Sequence, residues 1–507
     1  MTKRIVSFFL AALVILLPTS VQASGEAPYR GYVYDEWKEA VPAPNGYLAE
    51  YEWSGLNAGC GHFLSPSDLF FEKKSRLLYV VDSGNNRIVV LDEDLHFIRE
   101  YQTFDAAGKT ETLNNPQGIF VTKTGDLYIC DQNNARVLKV NPSGQVLFDY
   151  PAPKADVIDQ GFEELYKPSK IVVDRGGRLY IYSVGENKGL LSVDEQNEFI
   201  SYFGSNRVEM TFKVALDLMW KRLLTREQRR QMAAFVPIEY SNVYIDDEDF
   251  IYAVVRYSET NREQIKKLNA MGVNILRVPE DNSYASARYG DLRTVWINDK
   301  AKASAFVDVH VDKNGFISVL DATYGKVFQY DQDSNPVFVF GTMGDQLGAF
   351  KNPVSLESID DKILVLDEAR GTITVFSLTQ FGSVVHKAIS LYNDGRYQEA
   401  LEPWHQVIMR SSNYPLAYVG IGKAYYQTEQ YQLAMQAFKM ANDKKGYSEA
   451  FRGYTLFWVR EHFTVLVLSI LGLYVLIKLI GKRKQLLTLY RKRMGKRHKG
   501  ECHHENS

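Results

Sequence analysis

From Pro66 onward the apolar residues come in short runs separated by turns rich in Gly, Asn and Asp, and the order of runs repeats. Short apolar runs bounded by turn residues read as strands buried on both faces. Six segments, beginning at Pro66, Pro116, Pro168, Tyr240, Phe306 and Pro353, share one grammar: strand, turn, strand ending in Asp, polar turn, third strand. In the first, Asp68–Phe71 leads to Leu77–Val81 and Asp82, then to Arg87–Leu91. The mid-repeat Asp lies ten residues before the close of the third strand in four of them (82–92, 131–141, 321–331 and 367–377). Longer turns are expected at Gly185-Glu186-Asn187 and Ser258–Glu263. Fourth strands are expected at Phe97–Tyr101, Val146–Tyr150, Phe199–Phe203, Val273–Arg277 and Val337–Phe340. The sixth segment lacks one, because the pattern turns helical from Ser383, and the orphan strand Tyr47–Trp53 is placed to supply it. Such a unit cannot bury both faces alone. Its recurrence every ~40–50 residues predicts a mainly β, six-bladed β-propeller over residues 45–382.

The pattern changes period at Ser383. Over 383–462 a 34-residue offset relates Leu391 to Tyr425, Tyr397 to Tyr431, Ala400 to Ala434 and Trp404 to Phe438. Small residues where helices cross, with aromatics a turn away, resemble tetratricopeptide repeats. A further helix is expected from an N-cap at Ser448 to Glu461. Phe463–Ile480 then runs 18 residues with Lys478 as its one charge, enough to span ~27 Å of hydrocarbon. Residues 481–507 form a basic tail. At the other end, Lys3 and Arg4, the apolar run Ile5–Leu17 and Val21-Gln22-Ala23 read as a secretory signal over 1–23. Positive charge marks the cytoplasmic side. The expectation is a single-pass plasma-membrane protein with an extracytoplasmic body and a cytoplasmic tail; a retained N-terminal anchor and a buried soluble helix are the alternatives.

Charge sharpens this picture. The net charge of −2 conceals a tail (482–507) at +7 and a body (24–462) at −12. An acidic body lacks the basic footprint a nucleic acid needs, so that partner is excluded. Aromatics at 13% favour half-buried pleated surfaces. Three cysteines exclude a disulfide scaffold and any four-cysteine zinc site, leaving a Cys60–Cys130 bond as one option beside free thiols.

The segments Asp82-Ser83-Gly84-Asn85-Asn86-Arg87 and Asp131-Gln132-Asn133-Asn134-Ala135-Arg136 resemble NHL repeats. The third and fourth repeats depart from that pattern, lacking the Asp and Arg pair. We read Asp and Arg here as closing the turn and bridging to neighbouring strands. Six-bladed propellers of this kind include calcium-dependent lactonases and a lyase, which the resemblance brings into view. The equivalent channel-mouth positions, at the starts of the inner strands, are Asp68, Gln117, Lys170, Asn242, Asp308 and Ser355, with His310 one step deeper. Asp68, Asn242 and Asp308 offer oxygen atoms suited to calcium, while the charge of Lys170 opposes a metal. Solvated channel lining is the competing explanation, and no cofactor is expected on that reading.

Alternating strand direction puts the links between blades and the Asp-containing turns on one face. The long insertions Thr103–Asn115, Ser205–Glu239 and Pro279–Ala305 fall there, on the face expected to point away from the membrane. The insertion at 205–239 is patterned as helix, with a capping box at Thr225–Gln228. Arg222, Arg226, Arg229 and Arg230 make it a candidate docking element for an acidic protein or an anionic glycan. No nucleophile triad, phosphate loop or dinucleotide fingerprint stands out. The reading is a membrane-anchored extracytoplasmic binding or scaffold protein, with protein or envelope-glycan partners. A metal-dependent, lactonase-like ectoenzyme is the alternative.

Overall fold

The computed structural model describes residues 27–35, 39–158, 161–205, 239–256, 264–276, 289–291, 295–297 and 300–501. The signal segment, most of the 205–239 insertion with its four arginines, and the turn at 258–263 lie outside these residues. Within them the chain forms two units, divided after Ser383.

The first unit is a six-bladed propeller. Blade 1 is the antiparallel sheet Asp68–Glu72, Leu77–Asp82, Arg87–Asp92 and Phe97–Tyr101, in that order from the axis outward. Blades 2, 3 and 5 repeat it with inner strands Pro116–Val121, Pro168–Val173 and Phe306–Val311. Blade 4 holds Tyr240–Ile245, Ile251–Val255 and Ile265–Leu268 among the described residues. Its expected fourth strand at Val273–Arg277 is reduced to an isolated bridge between Leu268 and Asn274. The turn from Asn269 to Gly272 has the hydrogen bonds that precede the fourth strand in the other blades, and residue 277 lies outside the described residues.

Closure is supplied by the N-terminal segment. Tyr47–Ser54 pairs antiparallel with Thr372–Leu378 as the outer strand of blade 6, after Pro353–Ile359 and Lys362–Asp367. Inner strands of neighbouring blades pack in a ring, and that of blade 6 returns to that of blade 1. A sheet edge is thereby covered. Each blade presents both faces to neighbours, so its middle strands are largely apolar. Val80, Val81, Ile88, Val89, Val90 and Leu91 are all fully buried. The cores lie between blades: Leu78, Val89 and Leu366 join blades 6 and 1, while Ile88, Val90 and Leu138 join blades 1 and 2. The junction of blades 5 and 6 is aromatic, with Tyr47 stacked on Phe340 at 4.7 Å and Phe340 against Phe376 at 5.1 Å.

The Asp and Arg of the repeat motif are structural. Asp82 is fully buried and accepts from Leu64 N (2.7 Å), Asn85 Nδ2 (2.8 Å) and Arg87 Nε (2.7 Å). Asp131 does the same with Asn114 N, Asn134 Nδ2 and Arg136 Nε. The carboxylate ties the incoming link, the turn and the third strand together. Cys60 and Cys130 are free thiols. Cys130 is sealed in blade 2, and Cys60 donates to Gly55 O.

The second unit is helical: α1 (Gln380–Asn393), α2 (Tyr397–Arg410), α3 (Pro415–Gln427), α4 (Tyr431–Met440), α5 (Lys444–Glu461) and α6 (Phe463–Glu501). α1 and α3 end 34 residues apart, as α2 and α4 begin. Ala400 and Ala434 are fully buried, Trp404 and Phe438 nearly so. The Trp404 ring fills the space where Gly420 lacks a side chain. α5 starts earlier than Ser448. Its N-cap is Asp443, which accepts from Gly446 N at 2.9 Å, whereas Ser448 Oγ donates back to Lys444 O. Within α6, Phe463–Met494 is long and apolar enough to cross a membrane.

Candidate functional site

The propeller axis is lined by the inner strands, and strand register decides what faces it. In blades 2 to 6 the inner strand begins with an irregularity, after which Gly118, Lys170, Asn242, Asp308 and Ser355 pair with Cys130, Tyr182, Val254, Leu320 and Leu366. Asp68 opposite Val81 is the counterpart in blade 1. The blade 2 member of this ring is therefore Gly118. The extra residue at the irregularity displaces Gln117, the position expected from sequence. Glycine is required there, because any Cβ would run into the Ser169 carbonyl of blade 3.

The ring is closed by its own hydrogen bonds. Lys170 Nζ donates to Asp68 Oδ1 (2.6 Å) and to Ser67 O (3.1 Å). Asp68 Oδ2 accepts from Ile119 N at 3.0 Å. Ser355 Oγ donates to Asp308 Oδ2 at 2.7 Å and lies 3.4 Å from Asp68 Oδ1. Asp308 also accepts from Leu356 N, Val309 N and the Asn242 side-chain amide. All five side chains are buried. Burial raises the carboxyl pKa of both acids, Asp308 to about 7, with the charge of Asp68 adding and Lys170 opposing.

These residues were expected at a mouth on the insertion-bearing face. Instead they floor a cavity of about 790 Å³ that opens on the other face. Its walls are the outer halves of the inner strands, among them Phe70, Phe120, Val172 and Tyr244. Phe70 meets Phe120 edge-on at 5.2 Å. His310 lies in the wall, two residues beyond Asp308 on the same strand. Its Nε2 is 2.7 Å from Ser358 Oγ and its ring is 4.6 Å from that of Tyr244. Its Nδ1 lies 2.7 Å from Glu357 Oε1 but off the line of a hydrogen bond. Glu357 spends its other oxygen on Phe71 N at 3.0 Å.

The floor does not fit calcium. A hard cation needs several oxygens turned toward one point. Here Asn242 turns its NH2 group on Asp308, and the Lys170 ammonium occupies the face of Asp68. No group of three or more His, Cys, Asp or Glu side chains is placed to hold a metal among the described residues.

The rim was missed by sequence reasoning, although the repeat encodes it. Five residues after each ring position stand Lys73, Lys123, Arg175, Asp247, Lys313 and Asp360, in the turns that follow the inner strands. Lys73 of blade 1 and Lys123 of blade 2 both converge on Asp247 of blade 4, at 3.5 and 3.0 Å. Arg175 of blade 3 pairs with Asp249 at 2.8 Å. The neighbouring cations Lys123 and Lys73 hold the Asp247 carboxyl below its usual pKa range.

No family model matches the chain. A 123-residue stretch, 22% of the chain, is 26% identical to the NHL repeat-containing protein 2 of Gallus gallus, and spans 16% of that protein's length. Among solved structures, virginiamycin B lyase from Staphylococcus aureus aligns over 66% of this chain and all of its own, at 12% identity and a TM-score of 0.38. A hydrazine synthase from Kuenenia stuttgartiensis covers 64% of this chain and 79% of its own, at 12% identity and 0.39. A gluconolactonase from Xanthomonas campestris covers 66% and 97%, at 9% identity and 0.36. Likenesses at this level carry no argument about activity. The NHL likeness and the six-bladed architecture agree on a β-propeller protein.

Proposed function

We propose that this chain is a membrane-anchored binding protein whose propeller holds a ligand or partner without transforming it. The observation that carries the reading is the self-satisfied floor ring. Lys170, Asp68, Ser355, Asp308 and Asn242 are spent on one another. General acid–base work needs a group aimed at a bound substrate, and metal hydrolysis needs an open coordination position. The lactonase alternative requires Lys170 to leave Asp68 and Asn242 to reverse its amide.

The anchor is Phe463–Ile480, with the basic run 482–499 held at the cytoplasmic leaflet and the propeller outside. The 34-residue helical offset supports a tetratricopeptide-like unit that docks a second protein, and exposed Met409, Met440 and Phe451 supply apolar surface for it. An envelope glycan or a protein remains the partner class for the arginine-bearing insertion.

Three measurements test this. Full-length protein in detergent is expected to show no lactone turnover and no melting shift between calcium and chelator. Metal-dependent turnover abolished by Asp308→Ala would overturn the reading. Protease added to whole cells is expected to digest the propeller and spare the tail; the reverse pattern inverts the topology.

A further inference from the structure

The cavity mouth carries a device that the floor does not explain. Blades 1 and 4 stand opposite each other in a six-membered ring, so the Lys73–Asp247 pair crosses the opening. Lys123 joins the same carboxylate from blade 2. Lys74 adds a third ammonium on that side, 3.4 Å from Lys123 O. All four side chains line the cavity.

The lining contains more acids than bases, yet most of its acids are committed. Glu72 accepts from Lys74 N and Ser75 N, and Asp246 from Glu248 N and Phe250 N. Asp174 accepts from Gly176 N, Arg178 and Tyr180 Oη. These carboxylates close their own turns. Among the described residues the Lys73 and Lys123 ammonium groups close no turn of their own, and the carboxylate that compensates both is Asp247, on the far side of the mouth. Exposed ion pairs of this kind are weak and exchangeable. Whatever displaces Asp247 must bring a negative charge to leave both lysines compensated. Behind the rim, Phe70, Phe120 and Tyr244 offer aromatic walls to an apolar body.

We propose that the cavity takes a small carboxylate-bearing solute with an apolar or ring-shaped body, whose carboxylate replaces Asp247 between Lys73 and Lys123. Asp247 is the resident stand-in that holds the two lysines at the mouth. The inference rests on the reading of the propeller as a non-catalytic binder.

The test uses the full chain in detergent with Cys60→Ser and Cys502→Ser, and a reporter thiol at Phe120→Cys. Its modification by neutral methyl methanethiosulfonate reports access to the cavity. 3-Phenylpropionate is expected to slow modification, whereas its neutral counterpart 3-phenylpropanol is not. Asp247→Asn is expected to lower the half-protecting concentration of the acid about fivefold, since two weak pairs no longer compete. Lys73→Gln with Lys123→Gln is expected to abolish protection. A Phe70→Cys reporter, with near-ultraviolet circular dichroism as folding control, repeats the measurement if Phe120→Cys disturbs the wall. Equal protection by acid and alcohol, no protection by either, or indifference to Asp247→Asn overturns the proposal. Lactone turnover would instead sink the non-catalytic reading while leaving the acid-over-alcohol preference standing.

Discussion

Replacing Asp82 by Ala isolates the interaction that gives the repeat its signature. The carboxylate has no exposed surface and accepts three hydrogen bonds of 2.7 to 2.8 Å. Truncation removes the acceptor of the Leu64 amide, and because Leu64 is exposed water replaces part of that bond, leaving a loss of about 1 kcal/mol. It also breaks a buried ion pair, for which about 3–5 kcal/mol is usual. The two costs overlap, and Arg87 keeps Glu100 at 2.7 Å and the Cys60 carbonyl at 2.8 Å. The lower end of that range, about 3 kcal/mol, is therefore expected. The double variant Asp82→Leu with Arg87→Met leaves no buried charge and is expected to cost less than Asp82→Ala alone. Urea unfolding of the full chain in detergent, followed by near-ultraviolet circular dichroism, reads these differences. A loss within about 0.5 kcal/mol, the range of ordinary surface substitutions, would refute the tie between link, turn and third strand.

Three further outcomes follow from groups with opposed requirements. Asp308 has a folded pKa near 7 against 3.8 when free, so its contribution to stability is complete below about 3.8 and is lost as pH rises through 7. The melting difference between wild type and Asp308→Asn should decline across that window; a difference that grows with pH contradicts the burial argument. His386 in α1 is held neutral by burial, with a pKa lowered from 6.5 to about 3. Its contribution is present above 6.5 and lost as pH falls toward 3, so His386→Leu should reduce acid sensitivity of the helical signal. Gly420→Ala drives a methyl group into the Trp404 ring and should cost about 1–3 kcal/mol, seen as faster proteolysis within 384–461.

The propeller was legible because its repeat is set by local chemistry. Asp at the end of the second strand and an apolar run after the turn are visible without knowing what packs on them. Even closure by Tyr47–Trp53 could be reasoned from an unpaired edge. The floor was legible in its members and not in its state. Periodicity places Lys170 and Asp68 on one ring, but only three-dimensional register brings Nζ within 2.6 Å of Oδ1. The Gln117 assignment failed for the same reason, since the irregularity that puts Gly118 in the ring leaves no mark in the hydrophobic pattern. The rim was missed because Lys73, Lys123 and Asp247 look like ordinary turn residues. Their partnership crosses the axis between blades that sequence order separates. Ser448 lost to Asp443 as N-cap because both residue types suit the role.

The outer strand of blade 6 precedes every other blade strand of the propeller in the sequence, and its partner comes from the last part of the propeller. Thr372 and Glu52, hydrogen-bonded at 2.6 Å, are 320 residues apart in sequence. Until that seam is sewn, Tyr47–Ser54 and Thr372–Leu378 each offer a naked edge to any passing strand. A chain made from its N-terminal end would therefore hold this strip in waiting while five blades assemble behind it, and the propeller would lock in one late event. Truncation anywhere before Leu378 should yield an open, sticky fragment in place of a smaller propeller.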